Sequence, residues 1–488
     1  MLNRRTAVAV VFLFAAPAAR AAFSTSTFTA SPYASFEYLG QQAKNETDFD
    51  NVENDERGNT VDRIRLGLNI GFSDQLRGGV EVVRAPFIAG TPNQDAQFGN
   101  PPRSVNTELS NFYLENAFLE MDDILGFDSV RVGRQYIGRP GDFIAYYGPL
   151  EDNQLSVRSL QGVSVREQIG LVWGQFAFGT PVDDDAIPQA GAAGDAATNK
   201  DDFVDGGDVS LTYGFLNSDG LFKKGWGKFE LEAGFYQAVD QNSGLSRDSN
   251  KLQIYDTRAR FYVPVDGRDA VSLSVEWAVN GGADRGPLFD NLGTLISSGV
   301  ARDYKGQAYV VKATYDWRAM IQTHALYACA SGDDDRADTK VTAYRDFASV
   351  GFPGSDFRHG EIFHGSANLG FTAGLDTHAV GDLGTRLLNV GVAFSPVLWG
   401  KKFAFKADFF SAWTHHSLND VSKNLMNELD WTLRYDHSEP VSIEIGYSRL
   451  HPLEQLRLIR GVVGTDDITQ SHIKFNVRFG IPRQVEIY

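Results

Sequence analysis

One cysteine, Cys329, stands in 488 residues, so no disulfide within the chain can staple the fold. Past residue 21 there is no run of ~18 apolar residues, so no helix is a good candidate to span a bilayer. A Walker loop, a dinucleotide fingerprint and HExxH are all missing, which removes the commonest nucleotide and zinc chemistries. Positive charge is also scarce. Lys and Arg number 45 against 62 Asp and Glu, for a net −17. That balance argues against nucleic acid or an acidic membrane surface as partners.

What the chain does have is an alternation of long and short connections between stretches of roughly 10 residues with period-2 hydrophobicity. The clearest is 61–72. There Ile64, Leu66, Leu68, Ile70 and Phe72 share one face, and Arg63, Arg65, Gly67, Asn69 and Gly71 share the other. The pattern recurs at 227–236, 307–317, 403–409, 428–436, 441–448 and 472–480. Weaker examples fall near 30–39, 76–85, 112–121, 128–137, 158–167, 169–179, 208–216, 251–263, 270–279, 320–330 and 385–396. The expected fold is all-β: a single transmembrane antiparallel β-barrel of about 18 strands. Long loops lie outside and short turns lie in the periplasm. Charged alternate positions would ruin a dry core but suit a wet lumen.

The N-terminus reads as a secretory signal. Arg4 and Arg5 precede an apolar stretch at 7–17, and Ala19-Arg20-Ala21 offers a small-x-small cleavage site. Residues 1–21 are expected to be removed, leaving the barrel over 22–488 with a net charge of −20, since the leader carries three arginines and no acid. The destination is the outer membrane of a Gram-negative-type bacterium. Its lipid, lipopolysaccharide and barrel-assembly machinery are the expected partners. Aromatics at strand ends, namely Tyr146, Tyr147, Trp317, Trp413, Trp431 and Tyr435, are expected to form interface girdles.

Strand parity places Arg63, Arg65, Arg131, Arg166, Arg258, Arg260, Lys312, Lys406, Arg434, Lys474 and Arg478 in the lumen. The acids Glu115, Asp316, Asp408, Glu428, Asp430, Asp436 and Glu444 join them. Guanidinium groups along a wet pore supply planar, releasable sites for carboxylates, which predicts preference for anions despite the acidic chain. Cross-strand pairing of Arg with Asp or Glu is the bland alternative for each residue.

Residues 131–135 read RVGRQ, Gly141-Asp142 follows, and then RSLQG at 158–162; ALYACASGDDDRAD spans 325–338. In these segments the chain resembles the alginate export family of outer-membrane barrels. The resemblance implies an 18-stranded pore through which an anionic polysaccharide leaves the cell, working with periplasmic export proteins. Carried over, Arg131, Arg134 and Arg158 become pore-lining residues, while Gly133, Gln135 and Asp142 belong to the motif. The turn at 437–440 is shorter than the family's periplasmic plug, and Pro482 would interrupt a regular last strand. Parity puts Arg134 on the lipid side, and a bulge at Gly133 would turn it inward.

No cofactor, metal or catalysis is expected. The pair His415-His416 lacks acidic partners for a metal, and Asp333–Asp338 lacks the EF-loop glycine and terminal Glu. A barrel hydrolase would need His324, His437 or His472 beside a serine at the rim. The alternatives carried forward are a porin for nutrient uptake, that hydrolase, and a non-conducting adhesin.

Overall fold

The computed structural model describes residues 23–24, 28–45, 49–50, 56–85, 112–150, 155–180, 209–218, 227–240, 250–266, 269–289, 295–318, 320–335, 338–347, 355–364, 382–417, 421–438 and 440–480. The leader at 1–21, the acidic runs at 183–185 and 201–202, and Pro482 lie outside the described residues.

Twenty-two strands form one sheet. Four are accessory: Phe23–Ser24, Leu295–Tyr304, Lys340–Val341 and Val397–Leu398. The remaining 18 pair antiparallel with their chain neighbours. The sheet closes where Thr29–Lys44 pairs with Arg57–Gly71 on one side and with Ile468–Phe479 on the other, in register from Ala34↔Phe479 to Lys44↔Thr469. Closure leaves no free edge among these strands, as a sheet in hydrocarbon requires. Every strand read from the period-2 pattern is present.

The outward face carries an exposed apolar band that includes Leu66, Leu119, Val132, Phe176, Leu273, Trp277, Val390, Phe409, Leu429, Trp431, Ile445 and Phe475. Exposure of so many large side chains on one face is what a bilayer demands. Charges occupy the alternate positions.

The elements run longer than the pattern implied. Asp269–Phe289 rises past its partner Gln307–Trp317 and pairs instead with Leu295–Tyr304 above it. The connection between the segments 441–448 and 472–480 holds the end of one strand, a short helix Glu454–Arg460 and the start of the next. The helix buries Leu456 and ends at Gly461, whose φ of 66° suits glycine.

The main apolar core lies inside the barrel. Phe143, Ile144, Tyr147, Tyr344, Phe347, Phe357, Ile362 and Phe363 come from inturned connections. They pack on small wall residues such as Ala177, Ala238, Ala278, Ala308, Ala328 and Ala412. Alanines leave room where aromatic side chains arrive, and each buried ring is worth about 1.5–3 kcal/mol. Tyr147 therefore belongs to this interior core, and Tyr146 is buried beside it; neither stands in an interface girdle, because their segment turns inward.

Gly133 carries no bulge. Its φ is 122°, yet register runs unbroken from Arg131↔Glu120 to Arg134↔Ala117. The irregularity sits in the neighbouring strand, where Glu81 faces Asn116 and Val82 faces Leu114, so that Glu115 is the extra residue. A Cβ at Gly133 would lie 2.3 Å from the Ala117 carbonyl oxygen, so the close approach itself requires glycine.

Candidate functional site: a charged chamber between two inturned segments

Two connections at the long-loop end dip into the bore. The first leaves the wall after Gln135, turns at Gly138 and Gly141 (φ 85° and 77°), and is braced by bridges Ile137↔Tyr147 and Pro149↔Val157. The second includes 355–364. They hold each other directly. The Asp142 carbonyl accepts Ser355 Oγ–H at 2.9 Å and the Asp356 N–H at 3.0 Å, and Asp356 Oδ2 accepts the Gly141 N–H at 2.9 Å. Phe143 meets Phe357 edge-on, with centroids 5.5 Å apart.

Charged wall residues pin both segments. Arg258 donates to Glu276 (Nε to Oε2, 2.7 Å) and to Asp142 Oδ1 (3.1 Å), with Glu232 3.8 Å away. Arg139 in the first segment pairs with Glu232. Farther round the wall, Glu428 accepts the N–H of Ile362 at 2.7 Å and of Phe363 at 3.0 Å, and Asp430 accepts that of Glu361 at 2.9 Å.

A chamber of about 680 Å³ lies between the segments and the wall. Its cations are Arg139, Arg258, Arg260, Lys312, Arg358 and Lys406. Its acids are Asp142, Glu276, Asp356, Glu361, Asp408 and Asp430. Several of these acids are spent on the pins. Asp408 serves another contact: it accepts from His324 Nε2 at 2.8 Å, over Gly391, where a Cβ would sit 2.1 Å from Asp408 Oδ1. Three cations stay turned to the space. Arg260 and Lys312 lie in one row across Ser274. Arg260 has Glu230 3.5 Å away, Lys406 has Asp408 at 2.7 Å but stays 52% exposed, and Lys312 is exposed and makes no ion pair among the described residues.

The other arginines expected in the pore, from parity or from the resemblance, are elsewhere. Arg63 is 1% exposed; it pairs with Glu37 and donates to the carbonyls of Leu150 (2.6 Å) and Ser156 (3.1 Å), so it is a strut for the first segment. Arg65 grips Glu81 bidentately at 3.1 and 2.9 Å. Arg131 bonds Glu120 at 2.9 Å and lies over the Phe118 ring. Arg134, half-buried, donates to Ser159 Oγ at 2.7 Å, with Glu115 4.0 Å away. Arg158 closes the first segment, its N–H on the Gly148 carbonyl at 3.1 Å. Arg166 covers Trp173. Asp316 accepts from Gln322 at 2.7 Å, Arg434 bonds Asp436 at 2.8 Å, and Arg478 lies 3.6 Å from Glu37. Of the residues that parity places in the lumen, Arg258, Arg260, Lys312, Lys406, Asp408 and Asp430 meet at the chamber. Arg139, Arg358 and His359 were missed, since nothing periodic marks a residue in an inturned loop.

Among the described residues, His324, His437 and His472 have no hydrogen bond to a serine; their partners are Asp408, Tyr435 and Glu444. Among the described residues there is also no group of three His, Cys, Asp or Glu placed to hold a metal.

Two histidines stiffen the second segment. His364 Nδ1 accepts the His359 N–H at 2.7 Å. Burial, with Arg358 nearby, brings the His364 pKa down to about 3. Burial, then His364, Lys312 and Lys406, holds His359 well below the usual imidazole range. Both rings are neutral when packed and take protons more readily once exposed, so their stabilisation is complete above about pH 6.5. It is lost as pH falls toward about 3. We predict that acidification across this window increases protease cleavage within 355–364 and that His364→Asn flattens the response; unchanged cleavage in the parent chain would refute it.

No family model matches the chain, and no curated protein matches it. Solved structures do. Pseudomonas aeruginosa OccK9 (OpdG) is 13% identical, with 92% of this chain and 98% of that chain covered and a TM-score of 0.54. P. aeruginosa OccK8 (OprE) is 11% identical over the same 92% and 98%, with a TM-score of 0.54. Acinetobacter baumannii OccAB1 is 12% identical over 92% and 96%, at 0.53. None of these findings supports the resemblance to alginate exporters. At such identities the likeness is one of fold: the chain has the closed antiparallel barrel of OccK9, OccK8 and OccAB1.

Proposed function

We propose that the protein is a passive outer-membrane channel for uptake of small solutes bearing a carboxylate or similar anionic group. The carrying observation is the row of Arg260 and Lys312, with Lys406 beside it, turned into a chamber whose acids are largely engaged elsewhere. Such cations attract an anion with modest, releasable contacts, which conduction needs. The fold shared with the Occ structures and the exposed apolar band support an outer-membrane setting. The pinned segments argue for small solutes over a polysaccharide strand, because a polymer would have to displace both. Solutes cross with no bond made or broken.

Reversal potential in a salt gradient across a planar bilayer is the test. The parent channel is expected to favour anions, and Lys312→Gln is expected to reduce that preference several-fold. Cation preference in the parent, or an indifferent Lys312→Gln, would sink the reading.

A further inference from the structure

His415 and His416 lie just past the strand Lys401–Thr414 at the long-connection end. Arg386 and Trp413 are register partners, and Cys329 pairs with Arg386 on the other side. These positions share parity with the outward Val390 and Phe409, so Arg386 is on the outer face of the barrel, away from the lumen. In the same register row stand Tyr309 and Trp413, and with Tyr327, two residues further along its strand, they form a line of rings with successive centroids 5.9 and 6.1 Å apart. Such a line marks the boundary between hydrocarbon and headgroups.

Among the described residues, the charges that meet here are of one sign. Arg386 Nη2 meets His415 Nδ1 at 2.7 Å, Lys423 Nζ donates to the His415 carbonyl at 2.8 Å, and the His415 and His416 rings are 4.8 Å apart. Arg386 Nε is buried without an acceptor. Among the described residues, no carboxylate pairs with Arg386 or Lys423. Elsewhere on the same outer rim, cations are neutralised: Arg84 by Asp62 at 3.0 Å, Lys44 by Glu56 at 3.2 Å, and Arg449 by Asp467. His415 reports the crowding, since burial first, and then Arg386, His416 and Lys423, hold its pKa below the usual range.

We propose that Arg386 and Lys423, with His415 between them, bind a phosphate of an outer-leaflet lipid headgroup, whose acyl chains lie along the Tyr309–Tyr327–Trp413 face. A guanidinium can offer a phosphate two parallel donors along its Nη1–Nη2 edge, and with no carboxylate on it among the described residues, Nη1 and the second Nη2 N–H are left for that contact. The proposal rests on the outer-membrane reading above.

The purified full chain is loaded with diphosphoryl lipid A in detergent, and bound lipid is counted by native mass spectrometry. Removing one charge is expected to weaken retention about fivefold, and Arg386→Gln with Lys423→Gln more. Lys423→Gln alone, in an exposed loop, keeps the test open if the Arg386 variant does not fold. Arg449→Gln, at the neutralised rim position, is expected to retain lipid as the parent does. Unchanged retention in the double variant, or equal loss in Arg449→Gln, overturns the proposal. So does inorganic phosphate binding as tightly as the lipid, which would mark a free-anion site. Single-channel conductance is expected to be the same in all these variants. Failure of the channel reading would register in the parent's conductance, and failure of the lipid site only in retention.

Discussion

Arg258→Ala is expected to enlarge single-channel conductance and to lower the barrel's stability by about 3–5 kcal/mol. The guanidinium is buried, and it meets Glu276, Asp142 and Glu232 at once. Asp256, also buried, adds a further acid to the cluster. Truncation leaves those carboxylates facing one another with Arg139 as their remaining close cation. That is far costlier than losing one exposed pair. The first inturned segment is tied to the wall here through Asp142, so the repulsion should push it from the bore. Arg258→Lys keeps a charge but loses the fork, and its effect should fall between parent and alanine variant. Single-channel current and a urea unfolding midpoint in lipid vesicles measure the two effects. An alanine variant matching the parent in both would remove Arg258 from this role.

Glu428→Ala should release the second segment. Its two carboxylate oxygens each accept one backbone N–H, from Ile362 and Phe363, both buried. Each donor left without an acceptor costs about 1–3 kcal/mol, so the segment stands to lose about 2–6 kcal/mol of attachment. Glu428→Gln preserves one acceptor oxygen and should lie between the two. The release should appear as larger, noisier single-channel currents while the barrel itself stays folded. A quiet recording at parental conductance would show that Asp430 and the apolar contacts of Ile362 and Phe363 suffice.

The strands were legible because the barrel repeats one local rule: oil outside, water inside, alternating at each residue. Leu66 and Arg65 report that rule within a single segment. Parity assigns a side of the wall, but it does not tell which cations remain available. Arg63 sits on the inner face as expected, yet Glu37 and two loop carbonyls consume it, and those partners are distant in sequence. The inturned segments have no period at all. Their placement follows from long-range contacts such as Asp142 with Arg258 and Ile362 with Glu428. Tyr146 and Tyr147 mislead for the same reason, since aromatics near a strand end suit an interface and an interior core equally well. Arg134 keeps a polar setting without the bulge expected at Gly133, because the irregularity at Glu115 brings a carboxylate to within 4.0 Å of it.

The alanines under the inturned aromatics separate two quantities that a cylinder would otherwise tie together. Circumference is set by how many strands close the ring, and altering it would mean re-registering the whole sheet. Clearance at the waist is set instead by detachable inserts resting on a smooth, shallow seat. Swapping or shortening one insert changes what fits through while the lipid-facing shell stays as it is. A family of filters with different gauges is thus reachable from this one casing by editing two short stretches.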